Sequence, residues 1–507
     1  MWGSLASLCL SLASWLLLLL VLGLLVAFLV FCAYVKYMHM KYDHIPGPPR
    51  DSFLFGHTYS LKKALDNLKV THDLYLRWTE EYGPVVRLNF MHNVMLIVTS
   101  PEAVKEYMMS SKYPKDPDAY NRLFYIFGKR FMGKGLVTDP DHEHWYKQRR
   151  IMDPAFSNTY LREMVGVFNE RAECLMERLA EKADGKQQVG LHSIINCVTM
   201  DVITKVAFGM ELGLTEGNKS NFPNAVALAL EGMIKYIQNP FMQYMPQHRA
   251  YVRSVEECAV LLRNTGRECI EQRKRAKLNG EELPKDILTK ILECADEQNG
   301  LDDEVMLDNF VTFFVAGQET TANQLSFTMM ELTRQPEITQ RLRAEIDEVI
   351  GFKRDLSYDD ITNLTYMTQV LKESLRLYPP APGTSRYIKD DAVIEGIKIP
   401  GGVPLMFDHY VMCRMEKFFP DPYKFDPERF SPSAPKPYYC YFPFALGPRS
   451  CLGQVFSQLE ARVVLSKLLQ RFEFSLVPGQ SYEVMDTGTL RPRDGVVCTL
   501  TVRPEAS

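Results

Sequence analysis

From Met1 to Val35 the chain carries no charged side chain, and from Trp15 to Val35 it is apolar almost without a break. In hydrocarbon every backbone N–H and C=O must be satisfied within the segment, so such a run is confined to a helix. About 20 apolar residues suffice to cross a bilayer. A cleavable leader starts with basic residues and has a shorter apolar core, and neither trait is seen here. Lys36, His39 and Lys41 follow at once, while Trp15 and Tyr34 stand near the two interfaces. The basic flank keeps the body in the cytosol and puts the N-terminus in the lumen. Residues 1–36 are therefore expected to be an uncleaved, single-pass signal anchor in a lipid bilayer. Residues 37–50 form a basic, proline-rich hinge in which Pro46-Gly47-Pro48-Pro49 makes a stiff, extended spacer.

Residues 51–507 read as one large catalytic body, with no low-complexity linker and no internal repeat. With 46% hydrophobic residues among 507, a large core is available. The net charge of −4 gives no argument for nucleic acid as a partner. Eleven cysteines are scattered without a Cys-x-x-Cys pair, so neither a disulfide framework nor a zinc cluster is implied. Helical periodicity predicts helices over 161–182, 251–278, 303–334, 337–350 and 365–378. Short β-rich runs fall at 85–98, 393–399 and 496–502. The class is mainly α with a smaller β region (α+β). Two glycine-bearing polar segments, 211–221 and 279–303, read as surface connections.

The segment Phe444-Ala-Leu-Gly447-Pro-Arg449-Ser-Cys451-Leu-Gly453 concentrates the chemistry. A helical pattern starts directly after it, which puts Cys451 at a helix N-terminus where backbone N–H groups and the dipole favour a thiolate. The glycines let backbone lie flat against something large, and Arg449 offers a cation. A macrocycle with carboxylate arms, and an iron that takes a sulfur ligand, satisfies all of this; the first reading is haem–thiolate.

Three further patterns bear on it. The helix at 303–334 is interrupted by Ala316-Gly317-Gln318-Glu319-Thr320-Thr321. The Thr320 hydroxyl can compete for the Ala316 carbonyl and open the helix, leaving a proton relay beside an apolar pocket. Alternatively it is a kinked core helix with its polar residues turned to solvent. Glu373 and Arg376 share a helix face, either as an ordinary surface ion pair or, with Arg429, as a network that locks the segment before Cys451. Trp145 and Arg149 project side by side one turn apart, and with Arg386 and Arg449 could hold two carboxylate arms.

In this order, Trp145-x-x-x-Arg149, Ala316-Gly317-x-Glu319-Thr320-Thr321, Glu373-x-x-Arg376, Pro427-Glu-Arg429-Phe430 and the Cys451 segment resemble the motifs of cytochrome P-450 monooxygenases, over about residues 44–503. Longer stretches at 44–50, 307–314, 370–380, 434–437 and 468–471 resemble the cholesterol 24-hydroxylase branch of that family. Pro382 and Gln318 depart from that branch, where tryptophan and histidine are expected.

The resemblance implies a single large P-450 domain behind the anchor, in the endoplasmic reticulum membrane with the catalytic domain cytosolic. It implies haem b, with Cys451 as axial thiolate and Trp145, Arg149, Arg386, Phe444, Arg449 and Gly453 binding the cofactor. Glu319 and Thr320 would deliver protons to bound dioxygen. Electrons would come from NADPH through NADPH–cytochrome P-450 reductase to a monomer. The implied substrate is a sterol, cholesterol hydroxylated at carbon 24 of its side chain. It would be bound by Tyr120, Leu123, Val137, Leu230, Met233, Ala316, Ala381, Pro382 and Thr489. The alternatives are another steroid, a fatty acid or a xenobiotic on the same fold, a reductase-independent haem–thiolate isomerase, or a haem-binding sensor without turnover.

Overall fold

The computed structural model describes residues 2–67, 70–298 and 300–504. Helices predominate over small antiparallel sheets, giving the mainly α class with a minor β part. The chain forms two compact units, residues 1–100 with 388–406, and residues 101–387 with 407–507.

In the first unit the helix Trp2–Tyr42 is long and apolar enough, from Leu10 onward, to cross a membrane. Leu16, Leu20, Val26 and Leu29 along it are exposed. Its C-terminal end is gripped by protein, for Val35 and Tyr42 are fully buried. His39 Nε2 lies 3.1 Å from the Met91 carbonyl, and Tyr42 Oη donates to the Gly401 carbonyl at 3.1 Å. The proline hinge continues this grip. Prolines have no N–H to give, but their carbonyls still accept. Pro46 O takes the Arg87 N–H at 2.8 Å, and Pro48 O meets His57 Nε2 at 3.0 Å. A Cβ on Gly47 would lie 2.6 Å from Arg87 O. The expected spacer is therefore a strap along the strand Val85–Phe90, which pairs antiparallel with Asn93–Val98.

The second unit is organised on the helix Asp303–Leu332, started by Asp302, whose carboxylate accepts from the N–H groups of Glu304 and Val305. Against it lies Leu191–Phe208, apolar enough to span a membrane but mostly buried, so it is a core helix. Phe208 meets Phe310 and Phe314 at 4.2 and 4.8 Å between ring centroids. A Cβ on Gly317 would come within 2.9 Å of Ile203 Cδ1, so the two helices approach closely because that residue is glycine. The predicted helix 161–182 is divided into Asn158–Arg162 and Val165–Ala180. The predicted connection 279–303 contains a helix, Ile287–Glu297, capped by Asp286 and burying Ile287, Leu288, Ile291 and Leu292. Its apolar stripe was hidden by polar residues at both ends.

Glu373 and Arg376 are fully buried on Thr365–Leu377 and joined by two hydrogen bonds of 2.7 and 2.8 Å. Arg376 also donates to the carbonyls of Cys413, Pro422 and Lys424, and Glu373 accepts from Asp426 N at 2.8 Å. Arg429 Nε stands 3.5 Å from Glu373 and its Nη2 donates to Asp421 O at 2.9 Å. Side chains thus stand in for secondary structure along an irregular stretch whose carbonyls must find donors. Removing one partner leaves a buried charge, so Glu373→Ala should cost about 3–5 kcal/mol in denaturant-induced unfolding. A loss below about 1 kcal/mol, as for an exposed pair, would contradict this role.

Candidate haem site

The segment before Cys451 folds back on itself. Cys451 N donates to Phe444 O at 2.8 Å and Ser450 N to Gly447 O at 3.0 Å. Gly447 has φ +69°, and a Cβ there would lie 2.3 Å from Met108 O, so backbone conformation and packing both require glycine. Gly453 is different: its φ of −82° is ordinary, and a Cβ would stand 3.9 Å from the Cys451 sulfur. It leaves room beside the sulfur at the start of Gln454–Arg471. Cys451 keeps accessible surface although its neighbours desolvate the sulfur, as expected for the wall of an internal space. Burial pushes the thiol pKa up, against the Gly453 N–H and the charges of Arg149 and Lys115. Burial thus opposes the helix terminus at this sulfur, and a metal cation bound to it would favour the thiolate.

Arg149 reaches the loop that carries the cysteine. Its Nη1 donates to the Ser450 carbonyl at 2.7 Å and its Nε to Asp153 at 2.6 Å, so it fixes the peptide that precedes the cysteine. The buried Trp145 ring carries the Arg449 guanidinium 3.9 Å from its centroid.

Arg449 and Arg386 have N–H groups left over. Arg449 Nη1 donates to Asp139 O at 2.8 Å, but its Nη2 is buried without a partner. Arg386 is 1% exposed; its Nη1 reaches the Ser385 carbonyl, while Nε and Nη2 have none. Lys115 adds a third cation, donating to Val137 O at 2.8 Å and standing 4.4 Å over the Tyr120 ring. Burial, then the nearby Arg386, brings the Arg449 pKa down to about 10. Burial lowers Arg386 as well, and for Lys115 it outweighs the help of Tyr120. Among the described residues no carboxylate forms an ion pair with these three cations. Buried charges of one sign, with donors free, fit a ligand that brings its own anions. The two carboxylate arms of haem b match that requirement, and Cys451 would supply a sulfur ligand.

On Asp303–Leu332 the helix is unbroken at Thr320, rather than opened as expected. The Thr320 hydroxyl donates to the Ala316 carbonyl at 2.7 Å. Ala316 is exposed in the middle of an otherwise buried helix, so the small face opens on space while Gly317 faces Ile203. Burial raises the Glu319 pKa, with the Thr489 hydroxyl and Arg491 opposing it. Gln318 points away from that space, its Nε2 donating to Asn196 at 2.6 Å.

Of the residues expected to meet substrate, Tyr120 sits with the cations, 3.3 Å from Thr384 Oγ1, and Thr489 accepts from Asn323 Nδ2 at 2.9 Å beside Glu319. Leu230 and Met233 are buried on Phe222–Gln238, and that helix meets the 487–489 turn, where a Cβ on Gly488 would lie 2.7 Å from Ile234. Leu490 N donates to Pro380 O at 2.9 Å, bringing Ala381 and Pro382 to the same neighbourhood. Leu123 and Val137 are half-buried. Two residues escaped sequence reasoning. Lys115 has no motif around it. Glu460 is a fully buried carboxyl nine residues after Cys451. Burial drives its pKa well up; Thr321 lies close enough to oppose this, but without a well-formed hydrogen bond.

Residues 46–499 match the sequence profile of the family described as Cytochrome P450. Cytochrome P450 4B1 of Rattus norvegicus is 30% identical, over 92% of this chain and 91% of its own. The ultra-long-chain fatty acid omega-hydroxylase of Homo sapiens is 29% identical over 89% and 87%. Cytochrome P450 4d2 of Drosophila melanogaster is 27% identical over 85% and 88%. The chain belongs to the cytochrome P450 family, whose members are haem b monooxygenases supplied with NADPH-derived electrons by a reductase.

If Arg386 and Arg449 hold the carboxylate arms, replacing either with Met should weaken haem binding by about ten- to a hundredfold. That is the range of one charge-assisted hydrogen bond. Titration of the apoprotein with haem measures it, and unchanged affinity in both variants would remove them from the site.

Proposed function

We propose that this protein is a membrane-anchored monooxygenase that hydroxylates an unactivated C–H bond on the aliphatic chain of a lipid. The observation that carries this reading is the set of buried, unpaired donors on Arg386 and Arg449 in the unit that holds Cys451. When bound, haem supplies the redox chemistry: dioxygen, two electrons and two protons convert R–H to R–OH and water. The protein's part is to bind, orient and manage protons. Cys451 would supply the sulfur to the haem iron, its peptide held by Phe444 O and Arg149, and Arg386, Arg449 and Lys115 would hold the carboxylate arms. Glu319, its proton affinity raised by burial, is the proton donor, and the Thr320 hydroxyl, anchored on Ala316 O, hands that proton on. Ala316 leaves room for the reacting carbon; Leu123, Val137, Leu230, Met233, Ala381 and Pro382 supply the apolar wall.

A fatty acyl chain is the first substrate class, because one relative of near-equal length is named as a fatty acid omega-hydroxylase. The second reading, a sterol side chain and cholesterol at carbon 24 in particular, is supported by the stretches at 44–50, 307–314 and 370–380. The helix Trp2–Tyr42 anchors the chain once in the endoplasmic reticulum membrane, with the catalytic body cytosolic and in reach of the reductase and of dissolved lipid.

Purified protein with reductase and NADPH should hydroxylate a long-chain fatty acid near its methyl end in preference to cholesterol, with products identified by mass spectrometry. Turnover of cholesterol alone, at its side chain, would establish the sterol reading, and turnover of neither would overturn the lipid assignment. Thr320→Ala should divert reducing equivalents to peroxide, lowering product per NADPH about a hundredfold, the scale of one proton-transfer group. Unchanged coupling would contradict the relay.

A further inference from the structure

Asp139 meets Arg449 with its backbone carbonyl and not with its carboxylate. The carbonyl accepts from Arg449 Nη1 at 2.8 Å, although a carboxylate binds a guanidinium more strongly than a carbonyl does. That carboxylate is engaged by other donors. Its Oδ1 accepts from Asp141 N at 3.1 Å, while its Oδ2 accepts from Gln148 Nε2 at 3.0 Å and is bonded to His144 Nδ1. Asp139 and Gln148 are fully buried and His144 is half-buried. Gln148 and His144 both stand on the helix His142–Met152, which also carries Trp145 and Arg149.

Backbone groups with a single role each fix the directions of these bonds. Leu136 N–H can only donate, and it meets Asn309 Oδ1 at 2.8 Å. The Val305 carbonyl can only accept, and it takes one hydrogen of Asn309 Nδ2 at 2.9 Å. The other goes to Gln148 Oε1 at 2.7 Å. Gln148 must then turn its NH2 to the Asp139 carboxylate and to the Lys134 carbonyl, each 3.0 Å away. Gln148 Nε2 is also 3.2 Å from His144 Nδ1, but both its hydrogens are already placed. Since a carboxylate only accepts, the hydrogen between His144 and Asp139 is carried on Nδ1. The segment leading to Asp139 is pinned to the helix Asp303–Leu332 as well. Lys134 N donates to Asp308 at 2.8 Å, and a Cβ on Gly135 would lie 2.5 Å from Thr312 Oγ1.

We propose that Gln148 and His144 are positioning residues that hold the Asp139 carboxylate away from Arg449, so that Arg449 Nη2 stays free for a carboxylate arm of haem. The inference rests on the reading of Arg449 as a clamp for that arm. A buried guanidinium with an unpartnered N–H, next to an aspartate that already gives it a carbonyl, would otherwise gain by pairing with the carboxylate too. The donors on Asp139 remove that gain. Its charge still acts at a distance: burial and then Arg386 lower the Arg449 pKa, and Asp139 opposes them. Asn309 works one step further back, because it makes the NH2 of Gln148, and not the oxygen, face the carboxylate.

Titration of the folded apoprotein with haem tests this. Gln148→Leu should weaken haem binding by about tenfold, the worth of one hydrogen bond to a charged group. Adding Asp139→Asn, which keeps the shape and removes the competing charge, should recover most of that loss. A glutamine that only packs would give a larger loss with the second substitution. If Gln148→Leu does not fold, as judged by far-ultraviolet circular dichroism, His144→Ala should show the same loss and the same recovery. Unchanged affinity in the single variant, or no recovery in the double one, overturns the proposal. Unchanged affinity in Arg449→Met removes the clamp itself, and this inference falls with it. A loss in Arg449→Met beside unchanged affinity in Gln148→Leu refutes the restraint on Asp139 alone.

Discussion

Arg386 is buried and Arg449 half-buried, and among the described residues Nε and Nη2 of Arg386 and Nη2 of Arg449 are buried without a hydrogen-bond partner. That arrangement is unstable by itself: each buried charge costs several kcal/mol after relaxation, and like charges raise the cost. It becomes favourable once two carboxylates arrive. Much of the second unit serves this geometry. Trp145 gives Arg449 a face to lie on, Asp139 O takes one of its N–H groups, and Ser385 O takes one from Arg386. Lys115 approaches from a third element and is close enough to oppose the burial-driven rise in the Cys451 pKa. Arg149 acts on the sulfur in the same direction as Lys115.

On the opposite side the constraint is steric rather than electrostatic. Gly317 lets two core helices approach at Ile203, and Ala316 on the adjoining face stays open. The Thr320 hydroxyl satisfies itself on the Ala316 carbonyl without breaking the helix, so it is held in place by the backbone it might have disrupted. The same helix carries Asn323, which donates to Thr489 on a turn far along the chain.

How much of this the sequence discloses depends on whether the chemistry is local. The Cys451 loop is legible because its glycines, arginine and helix start lie within ten residues. Glu373 and Arg376 are legible as a helix pair, though their burial is set by carbonyls far along the chain. The Arg149 contact to the Ser450 carbonyl is not legible, because carbonyls leave no mark in a sequence. Lys115 and Thr489 gain meaning only when folding brings Lys115 near Arg386 and Thr489 onto Asn323. The helix Ile287–Glu297 was concealed because Asp286, a polar signal for a loop, is both its cap and the ion-pair partner of Arg273. The sterol expectation rested on local stretches, and the relative named for a fatty acid redirects it.

The central claim is that Cys451 ligates haem iron through sulfur in a site built from the protein's own buried cations. The most direct measurement is the absorption spectrum of the reduced, carbon monoxide-bound holoprotein, compared with that of Cys451→His. The native chain should show the long-wavelength Soret band characteristic of a thiolate ligand. In Cys451→His that band should give way to one at the shorter wavelength of an imidazole ligand, with haem still bound through Arg386 and Arg449. A thiolate-type band that persists in Cys451→His would contradict the account.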